Sequence, residues 1–80
     1  MTDTNLTRVR RIVADHTPAD PTYILPESEL EGLGADSLDG VAIVSDLEEA
    51  FGIKIPDTDL PDLKTVGDLV ACVERNEAKP

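Results

Sequence analysis

Eighty residues, 40% hydrophobic and 30% charged with six prolines, suit one small domain over residues 1–80 and exclude a multidomain enzyme. Seventeen Asp and Glu against seven Lys and Arg leave a formal charge of −10, which repels phosphate backbones and anionic headgroups, so neither nucleic acid nor membrane is an expected partner. A single cysteine makes no internal disulfide, and no apolar run reaches the roughly 20 residues of a membrane span or resembles a signal peptide. The expectation is a soluble, cytoplasmic monomer acting through its surface, since so thin a core leaves little material for a deep catalytic cleft.

The charge is unevenly placed. Residues 1–20 and 63–80 each hold three acids and three bases, whereas residues 21–62 hold eleven acids against Lys54 alone. The whole net charge therefore belongs to the middle of the chain. That stretch is either a solvated surface or a docking face, and only the motif inside it can decide.

In chain order, Leu6, Val9, Ile12 and Val13 recur at helical spacing behind Thr4 or Asn5, and Pro18 with Pro21 ends what they begin, predicting a first helix over about 5–15. Residues 16–35 contain three prolines, Gly32 and Gly34 among scattered apolar residues, which predicts a long irregular loop pinned to the core. Asp36 is a good N-cap with Asp39 three residues on, and an apolar run follows to Phe51 before Gly52 closes it. On a helical wheel Gly40, Ile43, Val44, Leu47 and Phe51 share one side of this second helix. Leu38, Val41, Ala42, Ser45 and Glu49 share the other. Pro56 to Pro61 predicts a short helical turn. Thr65 with Asp68 caps a last helix striped by Val66, Leu69, Val70 and Val73, with the final four or five residues frayed. The predicted fold is all-α: a small four-helix bundle of three main helices and one short one.

Ser37 stands one residue inside the start of the second helix, in Gly34-Ala35-Asp36-Ser37-Leu38. If Asp36 caps, the Ser37 hydroxyl is left beside unsatisfied backbone N–H groups, where the positive end of the helix dipole favours a phosphate. A serine that merely caps the helix explains the local pattern equally well. The flexible Gly32-Leu33-Gly34 approach would let another protein's active site reach the hydroxyl. A catalytic serine is disfavoured, because the only histidine, His16, follows the first helix and no oxyanion-hole signature lies near Ser37. Other candidates are weak. Asp57, Asp59, Asp62 and Asp68 lack the ligand and turn glycine of a calcium loop, so no metal site is expected. Cys72 fits a small core residue, and His16 with Arg8, Arg10 and Arg11 fits solvated contacts.

Leu33-Gly34-Ala35-Asp36-Ser37-Leu38-Asp39, followed by Leu47-Glu48-Glu49-Ala50-Phe51 and Ile53-Lys54-Ile55-Pro56, closely resembles an acyl carrier protein. The likeness runs from about Leu30 to Val73 and is strongest between Leu33 and Pro56. It implies that Ser37 carries 4′-phosphopantetheine, whose thiol holds acyl groups as thioesters for fatty-acid, lipid or polyketide synthesis, and that the protein is not an enzyme. It further implies that Asp36 helps a phosphopantetheinyl transferase position itself on Ser37. Leu38, Asp39, Val41, Glu48 and Glu49 would meet basic docking patches on acyl-synthesising or acyl-transferring enzymes, while Gly40, Val44, Leu47 and Phe51 would line an acyl pocket. Ala42, Ser45 and Gly40 depart from the family pattern, the last opening room beside the core for a long or bulky chain. Two alternatives stand: an aminoacyl or peptidyl carrier on the same fold, and an unmodified acidic module that blocks a basic surface.

Overall fold

Val9 and Val13 of the first helix, Ile43 and Leu47 of the second, and Val66, Leu69, Cys72 and Val73 of the last converge, each withdrawn from solvent, into one apolar core. The computed structural model describes residues 5–77. Helix α1 spans Asn5–Asp15, α2 Ser37–Phe51 and α3 Val66–Glu77, with a short 3₁₀ helix at Asp57–Asp62. The predicted order of three main helices and a short one is what the structure shows. Asn5 lies inside α1 rather than before it, and the alternative cap Thr4 is outside the described residues. Of the tail expected to fray, Asn76 is buried and helical and residues 78–80 lie outside the described range.

Each helix start follows from local chemistry. At α3, the Asp68 carboxylate accepts from the Lys64 and Thr65 N–H groups (3.1 and 3.0 Å) while the Thr65 hydroxyl accepts from Asp68 N (3.1 Å). These bonds satisfy donors the helix itself cannot, and the backbone donors hold the Asp68 carboxyl below its ordinary range. Helix α2 ends at Gly52, whose φ of 64° is the left-handed value that suits glycine.

Helix α1 packs against both α2 and α3, most extensively against α3, and α2 meets α3 less closely. The loop between α1 and α2 is irregular as predicted, apart from single 3₁₀ turns at Pro21–Tyr23 and Glu31–Leu33. It is tied down at its middle: Ile24 is fully buried, and the Ser28–Leu30 backbone pairs antiparallel with Lys64–Val66 through Leu30 N to Lys64 O (2.9 Å) and Val66 N to Ser28 O (3.0 Å). Pairing of this kind anchors the loop beside α3, so its far end delivers the chain to the start of α2. No described helix is long and apolar enough to cross a membrane.

Arg8 of α1 and His16 just after it, expected to make solvated contacts, instead contact α2. His16 Nε2 lies 2.6 Å from Asp46 Oδ2, and the Arg8 guanidinium lies 4.1 Å from the Phe51 ring centroid while donating to Ala50 O at 2.9 Å. These contacts bind α1 to the middle and end of α2. The Arg8 charge also sits where α2 leaves carbonyls unpaired, a favourable position for a cation.

Candidate functional site

The site starts at a left-handed glycine. Gly34, with φ 99°, closes the Glu31–Leu33 turn, and a Cβ there would also meet Pro18 Cδ at 2.9 Å. Both facts require glycine, and Ala35 behind it is buried. Exposure of Ser37 gives reach to its hydroxyl.

Asp36 then adopts an extended conformation and caps α2. Its Oδ1 accepts from Asp39 N at 2.9 Å, and Asp39 Oδ2 accepts from Asp36 N at 3.2 Å, a reciprocal box made of two aspartates. Loss of such a cap costs about 1 kcal/mol. Ser37, the first helical residue, is exposed, and its hydroxyl makes no hydrogen bond within the described residues because the aspartates have taken the capping role. The N–H groups of Ser37 and Leu38, which the helix cannot satisfy, also find no acceptor. A phosphate esterified to Ser37 fits this corner, since both donors and the dipole of a 15-residue helix favour its charge.

Ser37 also lines a cavity of about 370 Å³ between α2, the short 3₁₀ helix and the start of α3. Gly40 and Val44 line it as predicted, and a Cβ added at Gly40 would find no other atom within 4 Å. The glycine therefore faces open space, not a closely packed helix. Leu47 and Phe51, expected beside them, are not in the walls: Leu47 is fully buried in the core, and Phe51 lies at the far end of α2 beneath Arg8. The remaining walls include Leu30, Ile43, Ile55, Leu60, Leu63 and Leu69, with Ser45, Glu48 and Asp57. Leu30 was legible only as one of the scattered apolar residues of the loop and Leu63 was not singled out, because nothing local in a loop tells which cavity it faces.

The residues expected to meet partners divide into two groups. Leu38 and Val41 stand 78% and 66% exposed, far beyond what an isolated apolar residue of a core-facing helix requires. Glu49 is exposed and makes no bond within the described residues. Asp39, by contrast, is committed to the capping box, and Glu48 Oε2 accepts from Ile55 N at 2.8 Å, pinning the chain after α2. Two of the four aspartates weighed and rejected as a calcium loop have structural duties. Asp59 accepts from Arg75 at 3.2 Å, which holds its carboxyl below the usual range, and Asp68 caps α3. Cys72 is fully buried, and loss of solvation pushes its thiol up.

Residues 7–73 match the family model described as the phosphopantetheine attachment site. The chain is 43% identical over 74 residues to the acyl carrier protein of Thermosynechococcus vestitus, covering 91% of each chain. It belongs to the acyl carrier protein family. Among solved structures it resembles the acyl carrier protein of Enterococcus faecalis (TM-score 0.76, 29% identity, 90% of this chain and 92% of that one). It also shares the fold of the hexanoyl form of the acyl carrier protein from the actinorhodin polyketide synthase of Streptomyces coelicolor (TM-score 0.77, 24% identity, 88% of this chain and 86% of that one). Members of this family are carriers that hold acyl groups on phosphopantetheine and present them to synthase enzymes.

Proposed function

We propose that Ser37 is the phosphopantetheine attachment residue and that the helices over residues 5–77 act as one acyl carrier domain in the cytoplasm. The observation that carries this reading is the division of labour at the head of α2. Asp36 and Asp39 satisfy each other, so Ser37 is spared the capping role and keeps an exposed hydroxyl beside two unclaimed N–H groups. When attached, the group supplies a terminal thiol that holds acyl chains as thioesters. The chain itself catalyses no step. Its residues hold the phosphate at the N-terminus of α2, offer a cavity that begins at Ser37, and present Leu38 and Val41 beside the attachment point.

A phosphopantetheinyl transferase is the partner that installs the arm. It must bring its active site to the Ser37 hydroxyl, which places Leu38 inside its footprint. Asp36 has two oxygens, and Oδ1 is occupied by Asp39 N; Oδ2 is the one left to face that enzyme. The acyl reading is preferred over an aminoacyl or peptidyl carrier because the apolar walls of the cavity suit a hydrocarbon chain better than an amino acid. Incubation with a phosphopantetheinyl transferase and coenzyme A, followed by intact-mass measurement, tests the reading. Addition of one phosphopantetheinyl group supports it, and an unmodified protein would leave the acidic interaction module as the better account.

A further inference from the structure

The chain between α2 and α3 is fixed at two points and loosely held between them. At one end Ile55 is buried and its N–H donates to Glu48 Oε2 at 2.8 Å; at the other, Lys64 O accepts from Leu30 N at 2.9 Å. The short 3₁₀ helix Asp57–Asp62 lies between these anchors and contains no buried residue, and its backbone hydrogen bonds reach only neighbours between Pro56 and Lys64. Three of its six residues are aspartates, whose like charges repel, and 3₁₀ hydrogen bonds are poorer than those of an α-helix. A segment with so few buried contacts belongs to the low end of local stability.

Asp59 is the residue that holds it down. Its Oδ2 accepts from Arg75 at 3.2 Å and from the Cys72 thiol at 3.8 Å, and among the described residues no other side chain of Asp57–Asp62 hydrogen-bonds to α1, α2 or α3. Cys72 is fully buried, one turn of α3 beyond Leu69 in the wall of the Ser37 cavity, and Asp57 and Leu60 form another part of that wall. Lifting the segment would therefore uncover the thiol and remove Asp57 and Leu60 from the cavity wall in one movement. The Arg75 side chain is 54% exposed, so the contact is a weak one. We propose that the short helix is a strap that opens as a unit while the three main helices stay folded, with Asp59 as the clasp that closes it over Cys72 and the cavity. The inference does not depend on modification of Ser37.

The test is labelling of native Cys72 with N-ethylmaleimide, read against global stability from denaturant titration. Hydrogen exchange of the Leu63 amide, which donates to Leu60 O at 3.1 Å, is the second readout. In wild type the thiol should react faster than global unfolding allows and with a weaker denaturant dependence, because a local opening exposes little surface. Asp59→Ala should speed both labelling and Leu63 exchange about threefold beyond any change in global stability, the scale of a partly exposed ion pair. Asp57→Ala removes an exposed acid of the same segment and should speed neither. Wild-type labelling that tracks global unfolding would overturn the inference, as would Asp59→Ala effects that are absent, fully matched by lost global stability or shared by Asp57→Ala.

Discussion

His16 and Asp46 meet at 2.6 Å across the gap between the end of α1 and the middle of α2, giving a partner to an acid that the charge pattern alone assigns to free surface. With Asp36 and Asp39 locked in a capping box and Glu48 holding Ile55 N, Glu49 is the one acid of the Asp36–Phe51 stretch that no described contact engages. Much of the negative charge on α2 is thus part of the scaffold. The pair is partly exposed, so its contribution is small. Asp46→Ala should lower stability by about 0.5 kcal/mol, and a double-mutant cycle with His16→Ala should give a coupling below about 1 kcal/mol. A coupling of several kcal/mol would show that the pair joins the two helices far more firmly than a partly exposed contact should.

Docking should then divide between Glu49 and the apolar pair. Glu49→Lys should slow association with a basic partner enzyme by about threefold at low salt, an effect screened within about 8 Å at physiological ionic strength. Leu38→Ala should act on dissociation, speeding it about tenfold through the loss of roughly 1.5 kcal/mol of apolar burial. Surface-binding kinetics across a salt series would separate the two, and identical salt slopes for wild type and Glu49→Lys would count against the charge contribution. Glu48 is unsuited to this test, because its reversal also deprives Ile55 N of its acceptor.

Gly40 offers a stability prediction free of any partner. The residue sits within α2, outside the left-handed region, with open space where a Cβ would project. Gly40→Ala should therefore stabilise the unacylated protein by up to about 1 kcal/mol, the helix-propensity difference. Gly40→Thr should fill the space, and with a long or bulky chain attached it should leave the thioester more exposed and faster to hydrolyse. Destabilisation by Gly40→Ala in denaturant titration would mean that the position is more crowded than the structure shows.

Acid should unfold the protein partly through α3. Hydrogen bonds from the Thr65 and Lys64 backbone hold Asp68 below its ordinary carboxyl range. The stabilisation from a depressed carboxylate is complete above its unfolded pKa of about 3.9 and is lost as pH falls through the lower folded value. Asp68→Ala should cost about 1 kcal/mol near neutrality, the worth of a cap, and the gap to wild type should narrow as pH falls below the ordinary carboxyl range. A gap that stays constant down to pH 2 would show that the loss is not electrostatic.

The sequence made the helices legible because their signals are local. Asp36 with Asp39 and Thr65 with Asp68 announce two helix starts three residues at a time, and both boxes form. The same locality explains Ser37, whose freedom follows from its immediate neighbours. What stayed hidden depends on residues far apart in the chain. Phe51 shares a wheel face with Gly40, yet eleven residues of helix carry it away from the cavity to Arg8. Glu48 read as a docking acid and His16 as a solvated contact until Ile55 N and Asp46 came within reach. That Gly34 cannot be another residue was equally hidden, because the Pro18 ring that would meet its Cβ comes from sixteen residues earlier.

The most direct test of the central claim is intact-mass measurement of wild-type protein and Ser37→Ala after incubation with a phosphopantetheinyl transferase and coenzyme A. Both proteins should fold alike, since the Ser37 hydroxyl bonds to nothing within the described residues. The account predicts that wild type gains one phosphopantetheinyl group and Ser37→Ala gains none. A Ser37→Ala protein that still gains the group, or a wild type that does not, would contradict it.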